Sequence, residues 1–82
     1  MKKIELQVVY KSDKYYWIAT GSDGGYYIDV IVGGIAMYDV FIKLNDDEIA
    51  KFNSIGNLDD LAYGTAKGEY KSRMIEKTGF VV

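Results

Sequence analysis

The 82-residue chain contains no cysteine, no histidine and no proline. The missing cysteine rules out disulfide staples and thiolate metal sites. The missing histidine rules out Ser-His-Asp and Cys-His constellations and the common His-ligated zinc sites. Acid–base work could fall only to carboxylates, lysine or tyrosine. Without proline, no sharp element boundary is announced anywhere. Arginine is scarce as well: Arg73 stands alone, a poor endowment for bidentate phosphate or base recognition. Long apolar runs are also lacking. The segment "IELQVVY" after Met1-Lys2-Lys3 is interrupted by Glu5 and Gln7. It therefore reads as neither a signal peptide nor a membrane span, and the expected compartment is the cytoplasm.

What is present describes an ordered domain. The chain is 49% hydrophobic and 27% charged, ordinary values for a globular protein, and residues 1–82 read as a single domain. So short a chain buries only roughly 60–65% of its unfolded surface. The 15% aromatic content supplies large rings that bury much area per residue. The net charge is −2 and the pI about 4.9, which disfavours a general nucleic-acid binder.

Four strands are predicted. In "IELQVVY", residues 4–10, Ile4, Leu6, Val8 and Tyr10 fall on one face, with Glu5 and Gln7 on the other. Ser12 and Asp13 form a turn, and "YYWIAT", residues 15–20, is rich in strand formers. A two-residue turn there sets Val8 opposite Trp17, Leu6 opposite Ala19 and Tyr10 opposite Tyr15, and makes Trp17 a core residue. "GSDGG", residues 21–25, is a hairpin loop, and "YYIDVIV", residues 26–32, is a third strand. Gly33-Gly34 has the signature of a two-residue hairpin leading to a fourth strand, "IAMYDVFIK", residues 35–43. That register sets Val30 opposite Met37, Val32 opposite Ile35 and Tyr26 opposite Phe41.

Helix follows. Asn45 is an N-cap, Glu48 completes a capping box, and Leu44 with Ile49 forms a hydrophobic staple. Asp46, Asp47 and Glu48 suit the positive end of the helix dipole, and Asp47–Lys51 has i,i+4 spacing. Asn57 caps a second helix over "LDDLAYG", which Gly64 weakens or ends. "GEYKSRMIEKTG" can form a third helical segment, with Glu69–Arg73 as an i,i+4 pair and Gly79 as a C-cap. The final "FVV" adds a short strand or docks on the core. The predicted fold class is α+β: a four-stranded antiparallel meander followed by two or three short helices packed on one face.

No motif fixes a chemistry. "NDDE" is oxygen-rich, but it lacks the spread and internal glycine of a calcium loop, and consecutive positions point around a helix; no metal and no cofactor is expected. "GSDGGYY" leads into a strand, whereas a phosphate loop needs a helix. Asp29 and Asp39 interrupt apolar strands. In the Gly33-Gly34 register Asp29 lies opposite Tyr38 and Asp39 opposite Ile28, so the two point to opposite faces and do not form a catalytic pair. No enzyme is expected.

Adjacent tyrosines in a strand point to opposite faces, so Tyr15/Tyr16 and Tyr26/Tyr27 each split between core and surface. One layer of helices covers one side of a sheet, and the other side is left rich in tyrosine. Tyrosine-rich surfaces are typical of protein interfaces, and acidic patches steer association with basic partners. The expected partner-binding residues are Asp46, Asp47, Glu48, Asp59 and Asp60 with Tyr16, Tyr26 and Tyr27. The expected function is a non-enzymatic inhibitor that blocks another protein with a basic surface. In size, acidity and lack of catalytic residues the chain is similar in type to small bacterial immunity proteins and phage anti-defence inhibitors such as anti-CRISPRs. No motif assigns it to such a family. The alternatives are a nucleic-acid or nucleotide binder, stacking bases on Tyr15, Tyr16, Tyr26 or Tyr27 with Lys11 and Lys14, and a homo-oligomer formed through the sheet.

Overall fold

The computed structural model describes residues 3–33 and 38–81. Four antiparallel strands come first: β1 (Ile4–Lys11), β2 (Tyr16–Gly21), β3 (Tyr26–Val32) and β4 (Tyr38–Lys43). Two helices follow, α1 (Asp46–Ile55) and α2 (Asp59–Ala66), then a strap of two 3-10 turns, Lys71–Arg73 and Lys77–Gly79, and a two-residue strand β5 (Phe80–Val81). The fold is α+β. The meander gains a fifth strand, so the sheet order is β4-β3-β2-β1-β5, with β5 parallel to β1.

The sheet separates two apolar clusters. On one face Tyr16, Ile18, Ile28, Val30, Val32, Val40, Ile42 and Leu44 pack against Leu58, Leu61 and Ala62 of the α2 region, with Ile49 and Phe52 of α1 half-buried beside them. On the other face Leu6, Ala19, Tyr27 and Phe41 pack against Ile75 and Phe80 of the strap, with Trp17 half-buried at the margin. Trp17 is thus a flank of the second core and not its centre.

A bulge decides how β1 serves both clusters. Val8 pairs with Ala19 and Tyr10 with Ile18, so an extra residue, Val9, lies between the two pairs. Such an insertion shifts the side-chain alternation by one. Ile4 and Leu6 face the strap, whereas Tyr10 crosses to the helix face and meets Tyr16 and Phe52 at ring-centroid distances of 5.9 and 5.7 Å. The expectation that Ile4, Leu6, Val8 and Tyr10 share one face fails at this residue.

Both hairpin registers also differ from the prediction. In β1–β2 Leu6 pairs with Gly21 and Val8 with Ala19. This displacement of two positions keeps the faces as far as Val8; past the bulge Tyr10 pairs with Ile18, three positions from the predicted Tyr15, which lies in the turn. In β3–β4 Asp29 pairs with Phe41 and Val32 with Tyr38. Relative to Asp29 opposite Tyr38, this is a displacement of three. An odd displacement swaps the faces. Asp29 and Asp39 therefore lie on the same face, and Tyr26 is not opposite Phe41. The predicted partners of Val30 and Val32, Met37 and Ile35, are replaced by Val40 and Tyr38; the strand start at residue 35 and the second glycine of the predicted turn, Gly34, lie outside the described residues.

Helix α1 starts as predicted. The Glu48 N–H donates to the Asn45 side chain and the Asn45 N–H donates back to Glu48, each at 2.9 Å. Gly56 ends it with φ of 81°, its N–H donating to the Phe52 carbonyl, the left-handed stop for which glycine carries no Cβ penalty. α2 has Leu58 at its N-cap, without a side-chain cap bond, while Asn57 accepts the Asp59 N–H at 3.2 Å. Gly64 does not end the helix. A Cβ there would lie 2.9 Å from the Tyr70 ring, so its bare backbone is what lets Tyr70 approach.

The strap replaces the predicted third helix. Its charged residues prefer distant partners to i,i+4 neighbours. Arg73 makes a two-pronged pair with Glu48, both bonds 2.7 Å, and also donates to the Lys43 carbonyl. Ile75 donates its N–H to the Phe41 carbonyl at 2.8 Å, and Met74 bridges Ile42, so the strap is seated on β4. It then crosses the sheet, and β5 pairs with Ile4 and Glu5 of β1. On the way Phe80 packs edge-on against Tyr27 and Phe41, with centroids 5.0 and 4.9 Å away. Lys77 reaches Asp29 at 2.6 Å and also bonds Asp39. Burial dominates Asp29 and pushes its carboxyl up to about 6, against the bond from Lys77. Asp39, bonded by Lys77 at the surface, is held below its ordinary value.

Candidate functional site

The acidic residues singled out from the sequence separate into tied and untied groups. Glu48 is occupied by Arg73 and the Asn45 backbone, and the Arg73 guanidinium chiefly holds its carboxyl below the ordinary range. Asp59 accepts the Tyr16 hydroxyl at 2.6 Å and the Lys14 ammonium at 3.0 Å; the Tyr16 bond is the first cause of its lowered pKa. Asp60, largely exposed, meets Lys51 at 3.3 Å, the lysine expected to pair with Asp47. Asp46 and Asp47 are exposed in the first turn of α1 and make no ion pair or side-chain hydrogen bond among the described residues. Of the five acids, these two keep their charge wholly available.

The tyrosines redistribute as well. Tyr16 and Tyr27 are interior, 1% and 2% exposed. The Tyr16 hydroxyl accepts the Leu58 N–H at 3.0 Å while donating to Asp59. It thereby fixes the start of α2 to the sheet, and burial pushes its pKa up. Tyr27 donates to Asp23 at 2.5 Å; burial and that bond raise it to about 12. Neither ring can meet a partner in the folded protein. Tyr26 is half-buried, and its carbonyl accepts the Leu44 N–H at 2.8 Å. It therefore sits beside the start of α1 that carries Asp46 and Asp47.

The open aromatic surface lies at the other end of the sheet, at residues 11–17, where the sequence points to Tyr15 and Lys11 as contacts only for the alternative of stacked bases; Tyr15 is not among the expected protein-contact residues. Tyr15 is 70% exposed with Ile31 exposed beside it, whereas Tyr38, 54% exposed, pairs with Val32 and so belongs to the opposite face of the sheet. Tyr15, Trp17 and Ile31 bound a shallow cleft of about 270 Å³ with Lys11 at its rim. From Tyr26 to Ile31 along β3 is about 17 Å at the usual rise per residue. The Asp46–Asp47 turn and the aromatic end are therefore separate areas of the surface.

Tyr15 is held in an unusual state. Its φ is 65°, the one positive value among the described non-glycine residues. A side chain in this region costs about 1–2 kcal/mol. The surrounding bonds fix it there: Ile31 donates its N–H to the Tyr15 carbonyl at 2.9 Å, Ser12 donates to the Tyr16 carbonyl at 2.9 Å, and Lys14 donates to the Ser12 hydroxyl at 3.0 Å. Strained backbone supporting an exposed ring is a frequent feature of binding sites. The doubled Tyr15-Tyr16 was the only trace of this in the sequence, since positive φ leaves no mark on a tyrosine.

Among the described residues no group of three or more acidic, histidine or cysteine side chains is placed to hold a metal ion, and no helix is long and apolar enough to cross a membrane. No family model matches the chain, and no curated protein or solved structure shows significant similarity to it.

Proposed function

We propose that this is a non-enzymatic binding protein that recognises and blocks another protein, acting in the cytoplasm on a partner with a basic surface. The type is that of immunity proteins and phage anti-defence inhibitors, and the blocked partner is a nuclease or another nucleic-acid-handling enzyme. The observation that carries this reading is the exposed Tyr15 ring, fixed at positive φ beside Trp17 and Ile31. An aromatic carried on backbone already fixed before binding loses less entropy on association. Asp46 and Asp47 supply unpaired negative charge that speeds encounter with a basic partner. For stacked nucleic acid the cleft offers little positive charge: Lys14 is bound to Asp59, which leaves Lys11 as the basic group at the cleft.

Tyr15→Gly tests this reading by separating folding from binding. Glycine adopts φ of 65° without a Cβ penalty, so stability should change by no more than about 1 kcal/mol in a denaturant titration. Affinity for a partner captured from the native host should fall by about 2 kcal/mol or more, through a faster off-rate. Asp46→Asn with Asp47→Asn should instead slow association and reduce its salt dependence. The reading is wrong if the glycine variant binds like wild type. It is equally wrong if the purified protein binds single-stranded RNA tightly and the glycine variant abolishes that.

A further inference from the structure

The Asp29 side chain is 3% exposed in the middle of a central strand. One carboxylate oxygen accepts Lys77, and the other has no hydrogen-bond partner among the described residues. Asp39 meets the same ammonium from the neighbouring strand. Two rings complete the enclosure: the Lys77 nitrogen lies 6.0 Å from the centroid of Trp17 and 5.9 Å from that of Phe41. Two carboxylates and two π faces thus converge on one point, an arrangement that suits a compact ammonium better than a planar guanidinium. As a stability device it is poor. A well-packed apolar side chain at position 29 would hold the strap at least as well as a buried ion pair, and here two carboxylates share a single cation while one buried oxygen stays unsatisfied. A cleft of about 610 Å³ bounded by Asp39, Phe41, Met74 and Lys77 opens beside the cluster, which gives an alkyl chain a way in.

We propose that Asp29, Asp39, Trp17 and Phe41 form an ammonium-binding cage for a lysine side chain of a basic partner, and that the chain's own Lys77 fills it in cis. The strap then acts as a self-supplied competitor. A partner lysine enters only as the Lys77 side chain withdraws, and the tethered Lys77 competes at a high effective concentration. The choice of a partner lysine rests on the protein-binding reading above; the cage itself does not depend on Tyr15.

Emptying the cage tests the idea without a partner. The probe is n-butylammonium chloride, with sodium chloride at matched ionic strength as the control. The reporter is the fluorescence of Trp17, the single tryptophan. In Lys77→Ala the probe should give a saturable fluorescence change and raise Tm. Wild type should need at least about ten-fold more probe, since Lys77 already occupies the site. Lys77→Ala combined with Asp39→Asn should show no saturable response. If Lys77→Ala alone is unfolded, the same titration followed by circular dichroism should recover the fold, because a ligand that binds only the folded state stabilises it by mass action. No saturable response and no recovery, or equal responses in all three proteins, overturns the cage. If partner binding still depends on Tyr15 in that case, the protein-binding reading survives the loss of the cage.

Discussion

The two faces of the sheet are built from the same strands but covered in different ways. The helix face is lined by buried aliphatic side chains and closed by regular elements. Its polar contacts lie at the ends of those elements, as where Tyr16 meets the start of α2. The strap face is smaller and aromatic, with Tyr27 and Phe41 stacked 5.4 Å apart at an interplanar angle of 7°. Its cover is an irregular segment fastened by an ion cluster in the interior. Regular cover satisfies its own backbone and needs only an apolar stripe to dock. An irregular cover must take hydrogen bonds and charge pairs from the sheet, so it constrains residues such as Asp29 far away in the chain.

The comparison breaks most severely in the helix-face core. Ile28 is fully buried there, and Ile28→Ala should cost about 2–5 kcal/mol, much of the stability of a domain this small. Urea denaturation measures it. A cost under about 1 kcal/mol would mean that this face is not the tighter one.

Asp29→Asn probes the strap face through pH. The folded protein raises this carboxyl from 3.8 to about 6, so between those values it holds a proton that the unfolded chain has released. Raising pH through this window therefore lowers stability, by at most about 3 kcal/mol for a shift of this size. The stability of wild type relative to Asp29→Asn should fall as pH rises from about 4 to about 7, and flatten above that. A difference that grows with pH would show that Lys77 outweighs burial at Asp29.

The smallest effect sharpens the contrast at the edge of the helix face. Tyr16→Phe keeps the ring but removes the hydroxyl that joins Leu58 and Asp59. The buried Leu58 N–H then loses its partner, at a cost of about 1–3 kcal/mol. Hydrogen exchange should quicken in α2 while the strap amides keep their wild-type rates.

The same contrast explains what the sequence made legible. The start of α1 was readable because its signals are local: Asn45, Glu48, Leu44 and Ile49 lie within five positions of one another, and their bonds form as expected. The strap was not readable. Its apparent Glu69–Arg73 spacing lost to a two-pronged pair with Glu48, 25 positions away, because a tertiary ion pair with ideal geometry outweighs weak helical propensity. The β3–β4 register failed because Gly33-Gly34 resembles a tight turn while the ladder closes at Val32 and Tyr38. That single displacement hid the convergence of Asp29 and Asp39. Among the candidate contact residues, Asp46 and Asp47 emerged accessible. Tyr16 and Tyr27 did not, because alternation assigns opposite faces to neighbours but does not say which face a later segment will cover.

The parallel pairing of Ile4 with Phe80 and Glu5 with Val81 has a consequence for biosynthesis. A ribosome adding about 5–20 residues per second releases the meander and both helices before the residues that complete the sheet. For that interval Leu6, Ala19, Tyr27 and Phe41 face water on a nascent chain whose other side can already be packed. Closing so long a loop is entropically slow. Docking of that one short segment is therefore what covers the aromatic surface, and until it occurs that surface stays open to water.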